Sequence, residues 1–271
     1  MKAVGGPCRG IVATVPIPMD WPEQEVRVAK EEIGPHVRVT EKTTDGIKQM
    51  VFTIANLPAA EEAKAVITFE ITRHAMLPPK ETAQYVVPDP KGLDRTVRPW
   101  LNPSPLIESQ SPRIVALAKE IGTDKTTAWE KVEAIYDYAR KNVKPNERAG
   151  NKGALAALQT GSGNHEDQTG VFIAICRAAD VAARTVWVDK YCYAEFYLAD
   201  GEGKGCWFPC IVSGNRSFGG VADLRPILEK GDNFHHPDPK RAREHVRYVP
   251  EFLGGAGGRP QVSFIRKMGA N

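Results

Sequence analysis

Seven prolines between residues 77 and 111 most constrain how this chain can fold. Proline fixes φ and lacks a backbone N–H, so it interrupts both helix interiors and sheet ladders. A structureless segment of this length is uncommon inside a compact domain, and we expect it to run over the surface between two domains. We therefore predict a domain over residues 1–76, a Pro-rich linker over 77–111 and a second domain over 112–271.

The part before the prolines has the patterning of short strands. In "HVRVTEKTTDGIKQMVFTIANL", two β-branched runs flank Asp45-Gly46, which predicts a hairpin. The stretch "AKAVITFEITRHAM" alternates between two faces, with Ala65, Ile67, Phe69 and Ile71 on the core side. Several short strands without a helix predict a small antiparallel β-sandwich-like domain.

Helical patterns appear only after the linker. "SPRIVALAKEIG" has Ser111 as a candidate N-cap and Pro112 at the first helical position, and "TDKTTAWEKVEAIYDYARKNVK" repeats apolar residues at spacings of three and four. A short helix, "GALAALQTG", leads to the polar cluster "SGNHED" and an apolar helix. Three strand-like runs follow: "ARTVWVDKY", "CYAEFYLAD" and "CWFPCIVSG".

Composition excludes several classes of function. The net charge of +3 is too small, and its basic residues too scattered, to indicate a nucleic-acid partner. No apolar run approaches the roughly 18 residues of a membrane span, and "MKAVGGPCRG" lacks the apolar region of a signal peptide. Of the five cysteines, Cys206 and Cys210 are interpreted first as small core residues, then as disulfide partners of Cys192, and last as metal ligands, and Cys176 is expected to be buried in a helix.

Four segments between residues 110 and 215 carry a family resemblance: "GALAALQTGSGNHED", "VFIAICRAADVAARTVWV", "YCYAEFYL" and "GCWFPC". Their order and spacing resemble the transglutaminase-like superfamily. The resemblance implies an α+β fold with a papain/transglutaminase-like core, in which helices pack on an antiparallel sheet. With the β domain in front and the tail segments "KGDNF" and "GGRPQVSFIRK", the chain resembles a bacterial branch of the superfamily whose members lean toward export.

The resemblance also implies where acyl transfer would occur. In the family, a cysteine at a helix N-terminus attacks an amide, a histidine on a neighbouring strand serves as its base, and a third polar residue orients the histidine. Here the nucleophile position falls on His165, the base position on Tyr191 and the third near Ile211. Imidazole cannot form a thioester, and a tyrosine with a pKa near 10 is a poor base at pH 7. The positive helix end should keep His165 neutral.

We therefore predict a pseudoenzyme or a repurposed binding protein that takes peptide, protein or glycan in its cleft and needs no cofactor. The predicted cleft residues are Gly163, Asn164, Asp167, Glu195 and Trp207. Behind the cleft, we expect a buried pair of Glu195 with Arg184, and we expect Arg177 to clamp the helix to the sheet.

An active enzyme is the alternative: an acyl-transfer enzyme or amide hydrolase that uses Cys192, or a metal-assisted hydrolase that uses His165. Cys192 follows Tyr191, so strand alternation turns it to the opposite face, and catalysis would need a bulge or a register slip. Further metal ligands would be Tyr191, His235 and His236, whose spacing matches no known metal-site pattern.

Overall fold

A computed structural model describes residues 1–148 and 150–269. The chain forms two compact units. The first comprises Met1–Thr72, His235–Glu244 and Val249–Asn271, and the second comprises Arg73–Phe234 and His245–Tyr248. No helix among the described residues is both long and apolar enough to cross a membrane.

The strands are, in chain order, β1 (Lys2–Val4), β2 (Cys8–Pro16), β3 (Gln24–Ile33), β4 (Arg38–Thr44), β5 (Ile47–Leu57), β6 (Ala65–Arg73), β7 (Lys144–Pro145), β8 (Ser162–Gly163), β9 (Ala183–Val188), β10 (Tyr191–Ala199), β11 (Gly205–Ile211), β12 (Ser217–Phe218), β13 (Ile227–Lys230), β14 (Phe234–His235), β15 (His245–Val246), β16 (Phe252–Ala256) and β17 (Arg259–Gln261). The helices are α1 (Pro112–Ile121), α2 (Ala128–Asn142), α3 (Ala154–Thr160) and α4 (His165–Ala178), with 3-10 turns at Arg98–Leu101 and Pro239–Arg241.

The first unit contains an antiparallel sheet with the strand order β16-β2-β5-β4. The predicted hairpin is confirmed as β4 and β5, joined by Asp45 and Gly46 at φ values of 53° and 77°. Both values match the left-handed turn that an Asp-Gly pair favours. In β6, the predicted alternation is also confirmed, although its inner face is only half-buried. The β-sandwich-like arrangement stays a prediction.

The C-terminal strands belong to the first unit. β16 pairs with β2, and β17 pairs with β1, each in antiparallel fashion. The sequence prediction grouped this tail with residues 112–271, because nothing in a short strand pattern identifies a partner so distant in sequence. The domain boundaries at residues 76 and 112 stay a prediction.

The second unit confirms the α+β fold. Its antiparallel sheet has the strand order β12-β11-β10-β9-β13, and α4 packs against β9 and β10. Residues 167–177 of α4 are all buried, because the other three helices surround the helix on the sides away from the sheet. The three predicted strand runs are β9, β10 and β11. The sequence analysis did not identify β12 and β13.

Parts of the Pro-rich segment pack against the second unit's core, and its role as a linker between two domains stays a prediction. Ile107 is completely buried in that core, and Tyr85 and Val87 pack against it. Val86 also forms a β-bridge with Ala199, at the end of β10. Prolines prevent regular structure here, but the apolar residues between them still bury their side chains.

Arg177 clamps α4 to the sheet, as predicted. Its guanidinium donates to both carboxylate oxygens of Asp232, at 2.8 and 2.9 Å, and to the carbonyl oxygen of Ala183. Asp232 also accepts hydrogen bonds from the Ser104 hydroxyl and from the backbone N–H of Thr185. This fully bonded network joins the central helix, β9 and the segment after β13.

Candidate functional site

The N-terminus of α4 is closed by a reciprocal cap. The Asn164 side chain accepts a hydrogen bond from the Asp167 N–H at 2.8 Å, and the Asp167 carboxylate accepts one from the Asn164 N–H at 3.2 Å. Asp167 is completely buried and also accepts from the N–H groups of Lys152 and Gly153, both at 3.0 Å. These bonds fix the start of the helix, and therefore the position of His165.

Gly163 is required by this cap. A Cβ on Gly163 would lie 2.6 Å from the Cβ of Asp167 and 2.9 Å from its Oδ2. We expect Gly163→Ala to lower the free energy of unfolding by about 1–3 kcal/mol, because the buried carboxylate would have to move away from its donors. Chemical denaturation measures this. Gly201→Ala, where an added Cβ meets no atom within 4 Å, is the matched control. Equal effects of the two substitutions would contradict the prediction.

The structure brings His165 and Tyr191 together. Their rings stack with centroids 4.9 Å apart and an interplanar angle of 21°. Nδ1 of His165 lies 2.9 Å from the Glu147 carboxylate, which accepts a hydrogen bond from the Nδ1–H group. Among the residues described, Nε2 has no hydrogen-bond partner. The assignment of His165 and Tyr191 to the nucleophile and base positions stays a prediction.

Tyr191 is held by two residues that the sequence analysis did not identify. Its hydroxyl forms a short hydrogen bond with Ser213 Oγ, and the Arg225 guanidinium lies 4.9 Å from the centroid of its ring. Burial raises the pKa of the Tyr191 hydroxyl above its usual value, although Ser213 and Arg225 act to lower it. The predicted third position, Ile211, lies two residues before Ser213, and its carbonyl oxygen accepts a hydrogen bond from the Tyr136 hydroxyl.

Cys192 is completely buried. Burial raises the pKa of its thiol to about 12, against the smaller effect of the Arg247 charge, which lowers it. Its backbone pairs with Trp187 in β9, in a register without a bulge from Tyr191 to Phe196. The bulge or slip that a Cys192 nucleophile requires is therefore absent from this pairing of described strands.

One predicted cleft residue, Glu195, forms a buried charge cluster, and a second, Trp207, packs beside it. Glu195 is completely buried and binds Arg184 at 2.8 Å and Lys230 at 2.6 Å. Burial acts to raise the pKa of Glu195, but the charges of Lys230 and Arg184 outweigh it, and the pKa is lowered. Cζ of Arg184 lies 4.0 Å from the ring centroid of Trp207, a cation–π contact. The predicted Glu195–Arg184 pair is confirmed, and Lys230 is an addition to it.

The histidines proposed as metal ligands lie in different units. His165 belongs to the second unit, whereas His235 and His236 belong to the first, where His235 Nδ1 lies 2.9 Å from the Asp45 carboxylate. Within the described part of the chain, no three His, Cys, Asp or Glu side chains are grouped so that they could hold a metal ion. All five cysteines are free thiols.

Comparisons with known proteins agree with this fold. Residues 115–210 match the model of the transglutaminase-like superfamily. A candidate cysteine protease from Cytophaga hutchinsonii matches over 96% of this chain and 89% of its own, with a TM-score of 0.55 and 16% identity. No curated protein sequence matches the chain.

Two further structures are more distant. A candidate protease from Parabacteroides distasonis matches over 78% of this chain and 45% of its own, at a TM-score of 0.32 and 16% identity. The periplasmic domain of TgpA from Pseudomonas aeruginosa matches over 74% and 87%, at a TM-score of 0.34 and 14% identity. TM-scores this low support no inference. Residues 115–210 are therefore similar to the transglutaminase-like superfamily, and the α+β fold around them is shared with the Cytophaga hutchinsonii structure.

Proposed function

We propose that this transglutaminase-like domain is a binding module without thiol chemistry, and that its cleft at the N-terminus of α4 takes an extended peptide. The observation that carries the proposal is the stack of His165 on Tyr191, at the two positions where the family resemblance places a cysteine and a histidine. Neither ring can act as a thiol nucleophile. The capped start of α4 preserves the helix end on which a ligand carbonyl or carboxylate would be favoured.

The burial of Cys192 supports the loss of thiol chemistry. With a thiol pKa raised to about 12, only about one molecule in ten thousand carries a thiolate at pH 8. We expect a thiol-directed acyl electrophile to label the half-exposed Cys206 well before Cys192 in the native protein. Mass spectrometry of the adducts measures this. Rapid, selective labelling of Cys192 that is lost in His165→Ala would overturn the proposal.

Peptide binding is tested with a displayed random-peptide library and a parallel glycan array. We expect the selected peptides to lose binding to His165→Ala, which removes the half-buried ring beside Tyr191. We also expect the peptides to be recovered uncleaved. Glu202→Gln, on the turn after β10, is the control and should bind as the wild type does. If only glycans bind, the proposed ligand class changes from peptide to glycan. If no binding depends on His165, the proposed binding function is rejected.

A second candidate is hydrolysis with His165 as a base or metal ligand. The hydrogen bond between Nδ1 and Glu147 favours this candidate. A carboxylate bound to one ring nitrogen fixes the orientation of the ring and makes the other nitrogen a better electron-pair donor. Peptide turnover, or a stoichiometric transition metal, that is lost in both His165→Ala and Glu147→Gln would establish this candidate. Uncleaved peptides and metal-free protein would reject it.

A further inference from the structure

A buried cation lies beneath the first turn of α4. Arg247 is 7% exposed, and its Nη1 lies 3.4 Å from Oε2 of Glu166. Its Nε and Nη2 atoms are buried and have no hydrogen-bond partner in the described part of the chain. A buried guanidinium with unbonded donors is costly, because the donors have lost water and gained no acceptor. The described residues therefore supply no acceptor for two of the donor atoms of Arg247, Nε and Nη2.

Gly170 leaves a small space beside one of these donors, Nη2. A Cβ on Gly170 would lie 3.8 Å from Nη2 of Arg247 and 3.7 Å from the carbonyl oxygen of Leu106, both of which are ordinary contact distances. The glycine therefore leaves about a methyl group of free volume next to the guanidinium. On another side, the ring centroid of Trp187 lies 5.5 Å from Cζ of Arg247, a cation–π contact that positions the guanidinium without using its N–H groups.

Glu166 covers the cation only loosely. Its carboxylate accepts a 2.5 Å hydrogen bond from Nδ2 of Asn151, whereas its contact with Arg247 is longer than the roughly 2.7–2.9 Å of a strong charged hydrogen bond. The Glu166 side chain is also 28% exposed, which gives it room to move into solvent. The Glu166 carboxylate can therefore keep its hydrogen bond with Asn151 when it moves away from Arg247.

We propose that Arg247 is the receptor for a ligand carboxylate, which enters beside the first turn of α4 by displacing Glu166. A guanidinium presents its N–H groups in a planar fork that matches a carboxylate, and the positive end of α4 adds to the attraction. The natural ligand would be a peptide with an acidic side chain or a free C-terminus at this subsite. That last step rests on the proposed peptide-binding function, whereas the subsite itself does not.

The probe is N-acetylglutamate, with N-acetylglutamine as its neutral counterpart, and binding is followed by protein NMR chemical shifts. We expect the wild type to prefer the acid. Glu166→Gln removes the competing carboxylate and should tighten binding of the acid at least about tenfold, the size expected for one charge-assisted contact. Glu202→Gln makes the same change of charge at the far end of β10 and should leave the affinity unchanged.

Arg247→Met should abolish the preference for the acid, and Arg247→Lys should weaken it, since lysine keeps the charge without the fork. If Arg247→Met does not fold, the increase in affinity of Glu166→Gln for N-acetylglutamate still tests the proposal. Equal binding of acid and amide, or no gain in Glu166→Gln over Glu202→Gln, would overturn the inference. Library peptides that bind without any acidic preference leave the proposed function standing and reject the subsite. If N-acetylglutamate binds more tightly to Glu166→Gln but no peptide binds, the subsite stands and the proposed peptide-binding function is rejected.

Discussion

Asp232→Ala is expected to lower the free energy of unfolding by about 3–5 kcal/mol, the range found when one partner of a buried ion pair is removed. Asp232 is completely buried and bonds both oxygens to Arg177, itself only 1% exposed. Without the carboxylate, the guanidinium stays buried and uncompensated, and the donors Ser104 and Thr185 lose their acceptor. Urea denaturation followed by tryptophan fluorescence measures the loss.

The control is Asp137→Ala on α2, whose carboxylate is exposed and lies 3.5 Å from the exposed Arg216. It should cost less than about 1 kcal/mol, because exposed ion pairs contribute little. A loss below that value for Asp232→Ala would contradict the prediction.

The pH dependence of stability offers a second measurement of the same carboxylate. Burial acts to raise the pKa of Asp232, but Arg177 and the Ser104 hydrogen bond outweigh it, and the pKa is lowered. The stabilisation from a lowered carboxyl pKa is complete above the unfolded value, about 4, and is lost as pH falls through the folded value. We therefore expect the difference in stability between the wild type and Asp232→Ala to shrink only below about pH 4.

His165→Cys combined with Tyr191→His is expected to create a reactive thiol. The rings of His165 and Tyr191 lie 4.9 Å apart, so the two substitutions would place a thiol at the N-terminus of α4 beside an imidazole. A helix end and a neighbouring imidazolium lower a thiol pKa from about 8.5 to below 7, which raises the thiolate fraction at pH 6 about tenfold or more. The rate of alkylation by iodoacetamide at pH 6 measures this directly.

Two comparison variants separate the effect of the double substitution from the effect of each substitution. His165→Cys alone gives the effect of the helix end, and His165→Cys with Tyr138→His places a histidine on α2 instead of β10. Only the pair with Tyr191→His should show the full acceleration. Equal rates in all three variants would mean that residues 165 and 191 are not the nucleophile and base positions.

Much of the site could be predicted because its framework is local. The Asn164 and Asp167 cap depends on residues three apart, and the alternation of β10 separates Tyr191 from Cys192. Glu147, Ser213, Arg225 and Arg247 could not be predicted in this way. They lie in loops or short segments, and they reach the site through pairings between residues far apart in the sequence.

By itself, the sequence determined what short-range physics controls: the helices, the Asp45-Gly46 hairpin and the strands β9 to β11. The family resemblance lies in α3, α4 and these three strands. The tertiary structure decided which groups lose water and which partners they then find. It joined β16 and β17 to the N-terminal strands, buried Cys192 and left two donors of Arg247 without an acceptor among the described residues. Burial and long-range pairing depend on the whole fold, and a local sequence pattern does not contain them.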